Sequence, residues 1–467
     1  MVGITRIAPY LPRHRLDRAL MAEAWGTRAA GTRAVAGLDE DALTLAADAV
    51  LACLGDADPA AFDALHFAST TAPYLEKQVA SVIATACDLP RTTAVADFGG
   101  SVRAGTAALR AALDAVRAGG TRAALVAAAD TRHAEPGSEL EPLLGDGAAA
   151  AAVGREGVIA ELVASASVAE EFTYLWRTDT QRALRVSDMR FGASYGYARD
   201  VADAVGAALR RAEVPPAKLA RLLLAAPDAR AAAEAAKRVG CDPGAQLLGP
   251  LVAEAGVLGT PDPLVLLARA LETAAPGDFL AVAAHGEGAD ALVFRATDAL
   301  PAARPRPLAA ALAGGVALPS YAAFLHARGA LAADVAGETV TAMIEWKELR
   351  QDVRLYGSRC AACGLVQYPQ ARVCIGCRAP DRTVEHKLAK RGTVFTFTID
   401  HLASALASPL AMVVIDLDGG GRVYLQATDA VPDEIRVGAR VVLTFRRLHE
   451  GGDNRNYFWK ARPVEAS

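Results

Sequence analysis

From residue 1 to about 297, short apolar runs of strand length alternate with longer, Ala-rich stretches of helical period. The runs 64–68, 123–129, 158–163, 222–226, 279–284 and 291–295 carry few or no charges and predict strands buried on both faces. Between them, 106–118 and 198–211 predict helices. In the first of these, Leu109, Ala112, Leu113 and Val116 form one stripe, Arg110, Asp114 and Arg117 lie off it, and Gly119-Gly120 ends it. The alternation predicts an α/β domain whose sheet is covered on its faces. It comes round twice, so the domain reads as two similar halves.

The pattern changes at residues 298–318, which are rich in Pro, Ala and Gly and predict a linker closing a first domain at 1–297. A short amphipathic helix near 320–328 opens a helical lead-in over 319–358. A cysteine-bearing segment follows at 359–391. Five β-like runs, 393–399, 411–415, 422–427, 440–445 and 457–461, are separated by Gly, Asp and Pro signals and predict a small β-barrel over 392–467.

With 467 residues, 52% of them apolar, the chain can bury the cores of two or three domains. No apolar run approaches the roughly 18 residues that cross a bilayer. The opening Met1-Val-Gly-Ile leads directly into strand-like sequence, without the basic-then-apolar pattern of a signal peptide, so a cytoplasmic location without membrane contact is expected. The net charge of −4 is uneven: residues 340–467 hold 18 Lys/Arg against 14 Asp/Glu. That excess is too small for a nucleic-acid polymer but suits a phosphorylated small molecule. The barrel aromatics Phe395, Phe397, Tyr424, Tyr457, Phe458 and Trp459 alternate as core residues do, which also argues against nucleic-acid stacking.

Cys360-Ala-Ala-Cys363 and Cys374-Ile-Gly-Cys377 are two Cys-x-x-Cys knuckles ten residues apart. In a cytoplasmic setting that spacing points to metal rather than to disulfides. Four thiolates can converge tetrahedrally on one Zn2+ and leave no position for water, so the zinc is expected to be structural. Cys53, Cys87 and Cys241 are each flanked by apolar residues and read as small buried hydrophobes. The loop from Asp97 to Gly105 leads into the helix at 106–118, where a thiolate or an anion is favoured by the partial positive charge of the helix start.

The stretches MVGITRIAPYLPRHRL, VAGLDEDALTLAADAV, RAGTAALRAAL, AADTRHAEPGSELEPLLGDGAAAAAVG, RFGASYGYARDV and HGEGADALVF run through most of residues 1–297. In order and spacing this part resembles the 3-hydroxy-3-methylglutaryl-CoA synthases of archaeal type, and with them the ketoacyl synthase III-like members of the thiolase superfamily. The stretches CAACGLVQYPQARVCIGC, GTVFTFTID and NYFWKARP resemble the acyl-CoA-associated family that joins a zinc ribbon to an OB-fold. The resemblance implies a duplicated five-layer thiolase-like fold, followed by the ribbon and the barrel. It also implies a Claisen-type site made of Cys, Glu, His and Asn. The aligned positions hold Val102 for the cysteine, Thr70 for the glutamate, Ala225 for the histidine and Ala255 for the asparagine. Valine holds no acyl group and alanine moves no proton, so condensation at this site is not expected.

The resemblance therefore implies a non-condensing subunit that handles an acyl-CoA or acyl carrier substrate beside a catalytic thiolase-like or acyltransferase partner, as a homodimer or hetero-oligomer. An enzyme of altered chemistry on a CoA thioester (aldolase, lyase or hydrolase) is the alternative, with Ser101, His285, Tyr74, Thr70 and Glu287 as the residues to suspect; an active synthase is the third reading. His66 and His285 are the histidines placed near the expected pocket, and a lone histidine is more often structural. Arg190, Arg199, Arg230 and Lys237 are candidates for contacts with CoA phosphates, weighed against a solvated helix face.

Overall fold

The computed structural model describes residues 1–331, 342–402, 409–430, 432–451 and 454–464. They form two compact units, Met1–Gly37 with Asp41–Ala330, and Leu38–Glu40 with Leu331–Ser467.

The first unit is built on a ten-stranded sheet. Its strands in chain order are β1 (Gly3–Tyr10), β2 (Ala64–Ala68), β3 (Ala94–Phe98), β4 (Ala124–Thr131), β5 (Asp146–Gly154), β6 (Ala160–Ala169), β7 (Leu219–Leu224), β8 (Leu247–Leu248), β9 (Phe279–His285) and β10 (Gly288–Ala296). Across the sheet the order is β8-β7-β9-β10-β6-β1-β5-β4-β2-β3. In the first half β2 runs parallel to β3 and β4, β4 antiparallel to β5, and β5 antiparallel to β1. The second half repeats this: β7 runs parallel to β8 and β9, β9 antiparallel to β10, and β10 antiparallel to β6. The halves join where Gly3 and Ile4 meet Glu161 and Ala160.

Helices repeat as well: α1 (Ala42–Leu54), α2 (Val79–Ala86) and α3 (Ala104–Ala118) in the first half, α4 (Ala198–Ala212), α5 (Ala229–Val239) and α6 (Asp262–Leu271) in the second. The stripe Leu109, Ala112, Leu113 and Val116 of α3 shares one core with Leu264 and Leu267 of α6 and with residues of both half-sheets, among them Val126 and Leu280. These two helices are the middle layer. Outside it, α4 and α5 pack on Leu222, Ala281 and Val293, and α1 packs on β1, β4 and β5. This is the thiolase-like five-layer fold. Its close packing rests on small side chains: residues 148–152 of β5 are all alanine and fully buried. A Cβ on Gly105 would stand 2.2 Å from the Thr260 carbonyl oxygen, so the start of α3 can approach that loop only as glycine.

The segment 298–318, expected as a linker, is instead folded against this unit. Leu300 and Leu308 are buried in its central core, and Val316-Ala317 pairs in parallel with His14-Arg15. The next helix, Tyr321–Ala327, is capped by the Ser320 hydroxyl and buries Phe324 against Leu16, Met21 and Val35. Pro and Ala content marked irregular backbone, but not the apolar anchors within it.

The second unit holds a three-stranded ribbon, β11 (Tyr356–Cys360), β12 (Val366–Gln367) and β13 (Thr383–Lys387), with β11 in the centre. A five-stranded sheet follows: β14 (Arg391–Asp400), β15 (Leu410–Leu417), β16 (Arg422–Gln426), β17 (Arg440–Gly451) and β18 (Asn454–Pro463), in the order β16-β15-β14-β17-β18. A bridge between Ala427 and Ala461 brings its two edges together into a near-closed barrel. Trp459 is wholly buried, but Phe395, Phe397 and Tyr424, expected in the core, are exposed. The pairing of β14 with β15 shifts between Val394 and Thr396, and from there to Thr398 the strand is exposed on both faces. The Arg422 guanidinium lies 3.6 Å over the Phe395 ring. Within this unit Arg446 is fully buried among three carboxylates, 2.8 Å from Asp429, 3.1 Å from Glu40 and 4.0 Å from Asp39; Lys460 pairs with Asp39 at 2.9 Å.

Candidate functional site

A cavity of about 470 Å³ opens in the first unit beyond the C-terminal ends of β2, β7 and β9, beside the loop that leads into α3. Parallel strands present their carboxyl ends to ligands in this way because the loops that follow diverge and leave a crevice. The volume falls within the range of small-molecule sites.

Three of the four positions aligned with the condensing residues line this cavity: Thr70 after β2, Val102 two residues before α3, and Ala225 after β7. The fourth does not. Ala255 is fully buried in the central core and its carbonyl accepts the Ala34 N–H at 2.8 Å; farther along that loop Val257 and Gly259 line the cavity. Thr70 is held by its backbone. Its N–H donates to Asp130 Oδ1 at 2.7 Å, and the same oxygen accepts the Ser69 and Thr71 hydroxyls, while Oδ2 takes the Thr260 N–H at 2.9 Å. Asp130 thus ties the turn after β2 to the loop before α6.

Ser101 lines the cavity, but its hydroxyl donates to the Gly286 carbonyl at 3.2 Å, and among the described residues no imidazole or carboxylate hydrogen-bonds to it. Tyr74 and Glu287 also line the cavity, Tyr74 with Lys77 Nζ 4.7 Å over its ring. His66 does not; its Nδ1 meets the Ala108 carbonyl at 3.2 Å, and burial lowers its pKa. Cys53, Cys87 and Cys241 are buried away from the cavity, and burial pushes the Cys53 thiol up to about 12. Arg190, Arg199, Arg230 and Lys237 are exposed, and none lines the cavity. The cavity's own cations are Lys77, Arg132, Arg177 and Arg182.

His285, 7% exposed at the end of β9, has a setting that its sequence position did not disclose. Its Nε2 lies 3.4 Å from Asp200 Oδ2, an ion-pair distance at which neither atom completes a hydrogen bond; the other carboxylate oxygen accepts Arg199 Nε at 2.8 Å. Asp200 is in the first turn of α4 and does not line the cavity, so His285 stands between it and the open space. Desolvation pulls the Asp200 carboxyl up, but His285 and Arg199 outweigh it and hold the group below its ordinary value. Tyr197 ends a π-helical segment, Gly192–Tyr197, that runs into α4 three residues before Asp200. Its ring meets the His285 ring edge-on at 5.6 Å, and Tyr174 flanks the imidazole at 6.0 Å. Tyr197 lines the cavity, is 1% exposed, and among the described residues has no hydrogen-bond partner for its hydroxyl.

Asp262, at the start of α6, also lines the cavity. Its Oδ2 accepts the Leu258 and Gly259 N–H groups at 3.0 Å each. Burial drives its pKa up to about 7, against the pull of those two N–H groups and Arg132. The only signal in the sequence was an acidic residue behind a helix-starting Pro261, and that also describes an ordinary helix start.

In the second unit Cys360, Cys363, Cys374 and Cys377 bring four sulfurs within 4.8 Å of one another, with Cys360 to Cys377 at 3.7 Å and Cys363 to Cys374 at 3.5 Å. Zinc–sulfur bonds of ~2.3 Å in a tetrahedron set sulfurs ~3.8 Å apart, so the four fit a structural Zn2+. The backbone N–H groups of Cys377 and Gly376 help hold the Cys374 thiol down to about 6, toward the thiolate a metal needs.

Comparison with known proteins agrees with this division. Residues 348–381 match the family described as ChsH2, rubredoxin-like zinc ribbon domain, and residues 385–446 match ChsH2, C-terminal OB-fold domain. A DUF35 domain-containing scaffold protein of Methanocaldococcus jannaschii is 32% identical over 125 residues, 26% of this chain and 89% of that protein. The hydroxymethylglutaryl-CoA synthase of Pyrobaculum neutrophilum is 29% identical over 309 residues, 64% of this chain and 88% of the synthase. A solved HMG-CoA synthase complexed with CoA shares the fold with a TM-score of 0.63 at 17% identity, over 73% of this chain and 94% of its own. Among the described residues no helix is long and apolar enough to cross a membrane.

Proposed function

The chain belongs to the family of DUF35 domain-containing scaffold proteins through its second unit, and from that premise we propose that the whole is a non-condensing subunit: it binds an acyl-CoA or acyl carrier thioester in the cavity and assembles with a catalytic thiolase-like or acyltransferase partner. The observation that carries this reading is Val102. It lines the cavity just ahead of α3, at the position of the nucleophile in the synthase-like family, and an isopropyl group forms no acyl intermediate. Ala225 likewise moves no proton. The cavity itself is retained, with Lys77, Arg132 and Arg177 among its walls. Outside it, the exposed Arg190, Arg230 and Lys237 would meet the phosphates of CoA, Arg230 three residues beyond the cavity residue Pro227. The edge strand β3 is where a second chain, identical or related and active, would extend the sheet. A cytoplasmic location accompanies this role.

The test is to incubate the purified chain with radiolabelled acetyl-CoA, alone and with a catalytic thiolase-like protein from the same organism. Reversible binding is expected, without covalent label on Cys53, Cys87, Cys241 or Ser101 and with thioester turnover only when the partner is added. A stable acyl-enzyme, or condensation by the isolated chain, would refute the reading.

A further inference from the structure

We propose that the cavity is a proton-transfer site in its own right, with His285 as the base, Tyr197 as the hydrogen-bond donor to a developing oxyanion, and Asp200 as the residue that positions the imidazole. The inference rests on the reading that a CoA thioester enters the cavity, and adds a chemistry that needs no covalent intermediate.

Three features place these groups together. Tyr197 and Asp200 lie three residues apart at the junction of the π-helical segment with α4, so both reach the same neighbour, His285 on β9. A π-helical turn costs regular hydrogen bonding and occurs mostly where a side chain has to be aimed. Here the turn is packed through glycine: a Cβ on Gly192 would stand 2.2 Å from the Tyr174 ring, and one on Gly196 2.8 Å from Phe172. Finally, the buried Tyr197 hydroxyl belongs to a residue that lines a site of ligand size, and among the described residues it has no hydrogen-bond partner. Burying a hydroxyl without a partner is unfavourable, a penalty that a purely structural residue would avoid as phenylalanine.

The arrangement follows the logic of an oriented base: a carboxylate behind the imidazole, and the substrate space in front. With a thioester bound, the Cα–H bond breaks and its proton passes to the imidazole, whose new positive charge is balanced by Asp200. The C–H electron pair forms the Cα=C bond of the enolate, and the carbonyl π pair moves to oxygen, where the Tyr197 hydroxyl donates a hydrogen bond. Return of a proton from the imidazole restores the thioester. No oxidant, metal or leaving group is required, and in D2O the cycle exchanges the α-hydrogens for deuterium.

The experiment measures acetyl-CoA binding to the full chain by calorimetry and α-deuterium incorporation in D2O by mass spectrometry, for the parent and for His285→Gln, Tyr197→Phe and Asp200→Asn. The parent is expected to exchange faster than buffer. His285→Gln should lose about 100-fold or more of that rate and Tyr197→Phe about 10- to 100-fold, each binding acetyl-CoA within about threefold of the parent. Asp200→Asn should lower the rate at saturation without raising the half-saturating concentration, a split that a packing role would not give. Tyr197→Phe removes only an unpartnered hydroxyl, so it keeps the test decisive if His285→Gln fails to fold. Binding without exchange above buffer, or exchange unchanged in Tyr197→Phe, overturns this proposal and leaves the CoA-binding reading standing. Absence of binding overturns both.

Discussion

Asp262 makes the stability of the first unit depend on pH in a direction opposite to that of most carboxylates. Its carboxyl ionises near 3.8 when the chain is unfolded and near 7 in the folded cavity, because burial withholds water from the charge. Below pH 3.8 both states hold the proton and the folded state keeps its full advantage. Between 3.8 and 7 the unfolded state alone ionises, so stability falls by up to ~1.4 kcal/mol per pH unit; above 7 the loss levels off at about 4 kcal/mol as an upper bound. Asp262→Asn removes the titration, and its amide oxygen can still accept the Leu258 and Gly259 N–H groups. Comparing parent and variant cancels the titrating groups that do not interact with Asp262. The variant is expected to be more stable by up to about 4 kcal/mol at pH 8, with the gap shrinking to almost nothing near pH 4. Guanidinium unfolding read by pulse-labelling mass spectrometry of α6 peptides follows this unit apart from the second. A gap that stays constant with pH, or widens toward acid, would refute the assignment of a neutralised buried carboxyl.

Two further outcomes concern the second unit. Cys363→Ala breaks the four-sulfur cluster, so bound zinc by elemental analysis should fall from one per chain toward none; ligation of this kind is worth roughly 10–16 kcal/mol in small peptides, and ribbon amides should lose protection from hydrogen exchange. Arg446→Met removes the guanidinium buried among Asp39, Glu40 and Asp429, at an expected cost of about 3–5 kcal/mol in urea unfolding; a change below about 1 kcal/mol would show that the carboxylates reach water.

Much of the fold was legible because strand-length apolar runs and helical stripes are local signals. The stripe of α3 and the two knuckles were read residue by residue, and the repeat of strands and helices gave the two halves. What was not legible depended on distance in sequence. Nothing in the sequence ties Asp200 to His285, 85 residues apart, so the histidine read as a lone structural residue. Asp262 looked like a solvated helix-start acid because burial is set by the cavity wall, which is contributed by other segments. Ala255, aligned with the asparagine, is buried in the core while Val257 and Gly259 of the same loop line the cavity, and the sequence of that loop has no regular period to show which of its residues face open space. A period of two points Phe395 and Phe397 inward, but a bulge between Val394 and Thr396 interrupts it.

The folding of residues 300–330 onto the first unit also bears on how such a chain can be divided or exchanged by recombination. A break after 297 would remove Leu300 and Leu308 from the central core and the helix whose Phe324 covers Leu16, Met21 and Val35. It would also strip the strand that pairs with His14-Arg15. A seam after Ala330 leaves each of these partners in the same piece but parts Asp39 and Glu40 from Arg446 and Lys460, so a second part made alone or exchanged would have to bring carboxylates of its own to those two cations.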